Sequence, residues 1–354
     1  MRRLLPVTVL VLTAVSASPA IAKLAPRGSA EQVQVTGARA GARVQLLSRR
    51  GRVLATRRAD TLGGVVFRSV TPGQGYRVRQ GHARSGAVTV YSNRSAPLST
   101  KTYGQKIPAS GYGYLTTRDG TKLAIDVHLP TGQTTGPFPT LVEYSGYGYA
   151  NPAGGESSIA QIAELLGFAV VDVNMRGTGC SGGAFDYFEP NQALDGYDVV
   201  ETVARQSWVL HHKVGMMGIS YGGISQLFVA ATDPPSLAGI TPLSVIDNTA
   251  TTLYPGGILN TGFALSWAKD RVHDALPASA TGGQAWALKR IQGGDSTCKA
   301  DQALHGEAVD LLAKTHANRY YVPKVADPLA PITFVHKIKA PVYLACQWTD
   351  EQTG

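Results

Sequence analysis

The chain has 354 residues, 44% of them hydrophobic and 16% charged, and a formal net charge of +9. This balance supplies a sizeable core and excludes intrinsic disorder, while the length exceeds one typical core and points to two domains. Cys180, Cys298 and Cys346 are the only cysteines, so at most one internal disulfide forms, and their spacing fits no C-x-x-C metal ligation.

Met1-Arg2-Arg3, the apolar run over 4–15 and Ala20-Ile21-Ala22 carry the charge, the short hydrophobic region and the A-x-A site of a secretory signal, cleaved after Ala22. The run is too short for the ~20 apolar residues of a spanning helix, so the expected location is secreted or cell envelope. Residues 23–100 hold fourteen Lys and Arg against Glu31 and Asp60. Short alternating runs over 31–35, 42–47, 52–55, 65–68 and 76–79, separated by Gly, Pro and Asp, predict a small basic all-β sandwich there. Its Arg-rich face is either a solvated surface or a contact to an anionic envelope surface, and export argues against nucleic acid as a partner. Residues 101–112 read as a linker that leaves the two domains independent of each other.

From 113 onward strands alternate with helices. A hairpin is expected on Asp119-Gly120, followed by strands over 124–129 and 140–144. Ile159, Ile162, Ala163 and Leu166 share one helical face, with a Ser158-x-x-Gln161 capping box before it and Gly167 after it. A buried strand over 168–173, a helix over 194–205 and strands over 213–217 and 237–245 complete a parallel α/β sheet. His211 and His212 are adjacent, cannot both face one ion, and are expected in solvent at the start of a strand. No metal site and no cofactor are expected.

Gly218-Ile219-Ser220-Tyr221-Gly222 spells G-x-S-x-G between that strand and a helix whose Ile224, Leu227, Phe228 and Ala231 form one apolar face. A sharp strand-to-helix turn of this kind strains the serine and lifts its Oγ above the sheet, which is how a nucleophile is presented to an acyl carbonyl.

Five motifs then occur in order: Arg118-Asp119-Gly120-Thr121, Tyr144-Ser145-Gly146-Tyr147, Arg176-Gly177-Thr178-Gly179-Cys180-Ser181-Gly182-Gly183, Asp195-Gly196-Tyr197-Asp198 and the Ser220 elbow. With them the chain resembles, over residues 105–354, the CocE/NonD serine hydrolases typified by cocaine esterase and X-Pro dipeptidyl-peptidase. The resemblance implies an α/β-hydrolase core with an inserted helical cap, about 246–335, and a C-terminal β jelly-roll. The N-terminal sandwich lies outside the cocaine esterase pattern. Ser220 is implied as nucleophile, with the Tyr221 backbone N–H and the Tyr147 hydroxyl as oxyanion donors. Asp350, in Trp348-Thr349-Asp350 after a buried strand over 341–346, is implied as the acid that orients a catalytic histidine. The substrate class it implies is a small ester, an amide or an X-Pro peptide. Phe263, Leu265, Trp267 and Trp286 either line the substrate site or pack the cap on the core.

In such enzymes the order along the chain is serine, acid, histidine, yet all eight histidines here precede Asp350. The expectation is therefore a hydrolase domain, 113–354, that is incomplete at its C-terminal end and lacks its base. A catalytically dead homologue acting as an envelope-associated binding protein is the alternative, and an adhesion module built on the sandwich would leave Ser220 and Tyr147 unexplained.

Overall fold

A computed structural model describes residues 23–347 except Ser95 and Leu98; residues 1–22, expected as a secretory signal, and Asp350 lie outside the described residues. The first unit contains β1 (Ala25–Ser29), β2 (Gln32–Thr36), β3 (Arg43–Leu47), β4 (Val53–Arg58), β5 (Val65–Phe67), β6 (Gly73–Gln80), β7 (Ala83–Arg84) and β8 (Val88–Val90). One sheet runs β1-β2-β5 and the other β4-β3-β6-β7, with β8 pairing β6. Alternate residues point inward, so Val33, Val35, Val44, Leu46, Val65 and Val78 fill the space between the sheets. β1 has no alternating pattern and was not expected. Backbone pairing to β2 holds it, and Gly28 is needed because a Cβ there would meet the Thr89 carbonyl oxygen of β8.

The second unit is built on β9 (Gly111–Thr116), β10 (Lys122–His128), β11 (Phe138–Ser145), β12 (Ala169–Asn174), β13 (Val209–Ile219) and β14 (Leu237–Leu243), in the order β14-β13-β11-β12-β10-β9. β12, β11, β13 and β14 are parallel, whereas β10 pairs antiparallel with both β12 and β9. The sheet is thus mixed rather than wholly parallel, because the tight Asp119-Gly120 turn returns the chain as a hairpin. His211 and His212 are exposed, both with positive φ, at an irregularity where β13 shifts register against β11.

Helices α1 (Ser158–Leu165), α2 (Pro190–Ala204) and α3 (Tyr221–Ala230) cover this sheet. The cap of α1 is Ser157 rather than Ser158: its Oγ accepts from the Ala160 N–H and donates to Glu143, a partner that sequence spacing does not show. α2 begins before residue 194 because Pro190 supplies a pre-set φ at the first helical position. The segment over 341–346 lies beside β14 through bridges at Val342 and Ala345. It is not the buried strand expected: Tyr343 is 69% and Leu344 56% exposed, since no described element covers it.

Residues between β14 and that segment form a helical cap that includes α4 (Thr249–Leu253), α5 (Phe263–Asp274), α6 (Ala285–Gln292), α7 (Ser296–Asp301) and α8 (Leu311–Ala317). Cys180, in the loop after β12, is joined to Cys298 of α7 by a disulfide, which ties cap to core and leaves Cys346 as an exposed thiol.

The two units are not independent. Ser29 Oγ of β1 lies 2.6 Å from Asp119 Oδ2 and 2.8 Å from Asn191 Oδ1, and Gln32 donates to Glu189 at 2.6 Å. The Val66 N–H donates to Glu307 of the cap at 2.9 Å. Behind Asp119 stands Arg176, fully buried, which donates to Asp119 at 3.0 Å and through two nitrogens to Asp195 at 2.6 Å each. Burial opposes charge on Asp119, but the Arg176 guanidinium and hydrogen bonds from Ser29 and Thr121 outweigh it and hold the carboxyl well below the usual carboxylate range.

Candidate active site

β13 stays paired with β14 through Ile219, passing Gly218 at φ 145°, and turns at Ser220, with φ 55° and ψ −119°. A left-handed φ on a serine is costly and persists only where surroundings enforce it. Here they do: the Ser220 N–H donates to the Leu243 carbonyl at 2.9 Å, and the Ser220 carbonyl accepts from Ile224 as the first turn of α3 forms. Tyr221 is the first residue of α3, so its backbone N–H has no intrahelical acceptor and stands beside the serine at the positive end of the helix.

Tyr147 reaches the same point from the loop after β11. Its hydroxyl lies 3.4 Å from Ser220 Oγ and accepts a hydrogen bond from Trp267 Nε1 at 2.9 Å. That donation occupies the phenol oxygen and leaves its own proton to point at the serine. The loop is fixed on both flanks. Ser145 Oγ accepts from the Tyr147 N–H, and Gln284 donates to the Gly146 carbonyl at 2.8 Å while accepting from Asn174. Arg271, one helical turn beyond Trp267 on α5, places its guanidinium 4.8 Å from the Tyr147 ring centre.

The serine opens into a cleft, continuous with solvent, between α3 and the cap. Phe263 and Trp267 line it, together with Ile246, Leu253, Tyr187 and Leu311. Trp286 does not: it packs beside the disulfide in a separate cluster, with its Nε1 donating to Gln284. Leu265 is likewise absent from the lining. Lys314 is the charged residue among the lining side chains, and its ammonium meets Asp186 at 2.7 Å. No histidine lines the cleft among the described residues. His305 is buried against the Ser181 carbonyl, His273 meets the Thr281 carbonyl and His128 sits among carboxylates of the sheet.

The structure thus brings Ser220, Tyr221, Tyr147, Trp267 and Phe263 together, and Asp350 lies outside the described residues. Sequence reasoning missed Tyr187, which packs on Tyr221 and Trp267, and Arg271, whose i, i+4 spacing from Trp267 was the available signal.

A serine elbow at the carboxyl edge of this sheet, under a helical cap, is the arrangement of the α/β-hydrolase fold. The chain belongs to the family described as X-Pro dipeptidyl-peptidase (S15 family), whose pattern matches residues 119–353. Among curated proteins it is 30% identical over 186 residues to the proposed serine esterase Mb1866c of Mycobacterium bovis, covering 47% of this chain and 29% of that one. It is 30% identical over 155 residues to cocaine esterase of a Rhodococcus species, covering 43% and 26%. The match therefore spans less than a third of those relatives. A CocE/NonD family hydrolase of Staphylococcus aureus shares the fold with TM-score 0.51 at 21% identity, over 70% of this chain and 46% of the other. An aminopeptidase from a Thaumarchaeota archaeon does so with TM-score 0.53 at 14% identity, over 70% and 45%.

Proposed function

We propose that the chain carries the nucleophile and oxyanion site of an exported serine hydrolase that cleaves esters with a neutral, apolar acyl group. The observation that carries this reading is the Tyr147 hydroxyl held 3.4 Å from the Oγ of Ser220, which itself lines an apolar cleft. Ser220 attacks the acyl carbonyl, and the carbonyl oxygen, as it gains charge, takes hydrogen bonds from the Tyr221 N–H and the Tyr147 hydroxyl. Asp350 and an imidazole from outside this cleft lining complete the proton transfer. An ester is favoured over an X-Pro peptide because recognition of a free α-ammonium calls for a carboxylate, and no Asp or Glu lines the cleft among the described residues.

The test uses the chain in the longest form its gene encodes. Hydrolysis of p-nitrophenyl butyrate should exceed that of an alanyl-proline p-nitroanilide at least tenfold, and Ser220→Ala should abolish both. Equal or greater turnover of the peptide refutes the ester assignment. Failure of a fluorophosphonate probe to label Ser220 would make the protein a binding homologue.

A further inference from the structure

The register of the sheet places three carboxylates side by side. Asp172 of β12 is opposite Asp126 of β10 on one flank and opposite Glu143 of β11 on the other. All three are at least nine-tenths buried, and like charges directly opposite on neighbouring strands repel. His128, two residues beyond Asp126 and so on the same face of β10, adds an imidazole whose Nε2 lies 3.4 Å from Asp172 Oδ2. Its other nitrogen, Nδ1, is 2.8 Å from Glu156 Oε1, and Glu164 of α1 brings a third donor atom to within 4.8 Å of both. Asp172 Oδ1, in a side chain 1% exposed, has no hydrogen-bond partner among the described residues, nor has the buried Glu164 Oε1.

We infer that His128 Nδ1, Glu156 and Glu164 form a structural site for a divalent first-row transition cation of the zinc type. Several features of the donor set fit such an ion. Donor atoms on a tetrahedral shell with bonds of about 2.1 Å stand roughly 3.4 Å apart, a separation that lies between the 2.8 Å of His128 Nδ1 from Glu156 and the 4.8 Å within which all three atoms fall. An imidazole with two carboxylates suits zinc or manganese, whereas calcium takes an all-oxygen shell. Asp172 receives the other ring N–H of His128, the carboxylate–histidine arrangement that fixes a ligating tautomer. The ion also supplies positive charge where five carboxylates face one imidazole. Side-chain exposures of 19% for His128 and 30% for Glu156 leave it a path from solvent.

The site is remote from the nucleophile. His128 is in register with Val170, Leu141 and Gly215, five residues before Ser220, which is roughly 16 Å along the strands. Glu156 immediately precedes Ser157, the cap of α1, so the ion fastens the end of the loop that carries Tyr147 onto β10.

The experiment uses the untagged full chain after dialysis against EDTA, titrated with ZnCl₂, MnCl₂ and CaCl₂ in a calorimeter and followed by thermal unfolding. One equivalent of Zn²⁺ should bind, Ca²⁺ should bind at least tenfold more weakly, and saturating Zn²⁺ should raise Tm by about 3–5 °C. Glu156→Gln with Glu164→Gln keeps the side-chain volumes and removes repulsion, so the double variant should fold, bind Zn²⁺ at least a hundredfold more weakly and lose the Tm rise. Absence of stoichiometric binding to the unaltered chain, binding unaffected by the two substitutions, or calcium bound as tightly as zinc each overturns the assignment. The first of these results would leave protons as the occupants that relieve the repulsion.

Discussion

Gly222 and Gly223 are adjacent and both open α3, yet their surroundings assign them opposite tolerance. A Cβ on Gly222 meets the Tyr149 hydroxyl at 3.5 Å, an ordinary contact, with no positive φ to strain it. Alanine there gains helix propensity of up to about 1 kcal/mol. A Cβ on Gly223 falls 2.5 Å from the Leu243 carbonyl oxygen, about 0.8 Å short of the ~3.3 Å at which carbon meets such an oxygen. That oxygen belongs to β14 and already accepts the Ser220 N–H, so it cannot move without disturbing the elbow. Overpacking against fixed backbone costs about 3 kcal/mol, offset by about 1 kcal/mol of propensity. Gly223→Ala should therefore be destabilised by about 2 kcal/mol and Gly222→Ala stabilised by up to about 1 kcal/mol. At a urea m-value of about 3 kcal/mol/M, the midpoints of the two variants should differ by about 1 M. Urea unfolding followed by tryptophan fluorescence measures this. Equal midpoints, or Gly222→Ala as the weaker variant, would show that the helix slides freely over β14 and refute the close-approach argument.

Tyr147→Phe should lower kcat for ester hydrolysis by about 10²-fold with little change in KM, because the hydroxyl acts on the transition-state oxygen; a change confined to KM would make it a packing residue. Trp267→Phe keeps the aromatic bulk but removes the donor to Tyr147, and should cost a smaller factor of about 10 in kcat, nearly absent when Tyr147 is already Phe; additive losses would place Trp267 directly on substrate. Burial depresses the His305 pKa against the contact with the Ser181 carbonyl that raises it, so the folded chain binds fewer protons at this residue than the unfolded chain does. Its contribution to stability is complete above the unfolded value of about 6.5 and declines as pH falls toward the folded pKa. Urea midpoints should drop between pH 7 and 5, and His305→Gln should flatten that slope; an unchanged slope would exclude His305 as its source.

How much could be read beforehand depended on whether a feature was local. The Ser220 elbow was legible because strand, small residues and helix lie within one stretch of chain and each constrains the next. α3 and β12 were legible for the same reason, through a single apolar face or an unbroken apolar run. β1 was not, since Ala-Pro-Arg-Gly-Ser is a strand only because β2 pairs with it and β8 presses on Gly28. Ser157 displaced Ser158 as a cap because Glu143, far away in sequence, anchors its hydroxyl. Trp267 and Trp286 looked alike as cap aromatics, and only the fold sent one to Tyr147 and the other to the disulfide. The row Asp126, Asp172, Glu143 is created entirely by register, which spacing along a single chain does not encode.

The contact between the sandwich and the second unit bears on any attempt to exchange one of them for another module. Ser29, Gln32 and the Val66 N–H supply hydrogen bonds to Asp119, Glu189 and Glu307, groups that belong to the second unit. A graft that kept only the second unit would hand those carboxylates to water and expose one flank of Arg176, whose guanidinium holds the hairpin of β9 and β10 to α2. Protease nicking of the segment between the units should accordingly yield two fragments that stay together through gel filtration, and a transplanted second unit would need new donors at all three positions before it could stand alone.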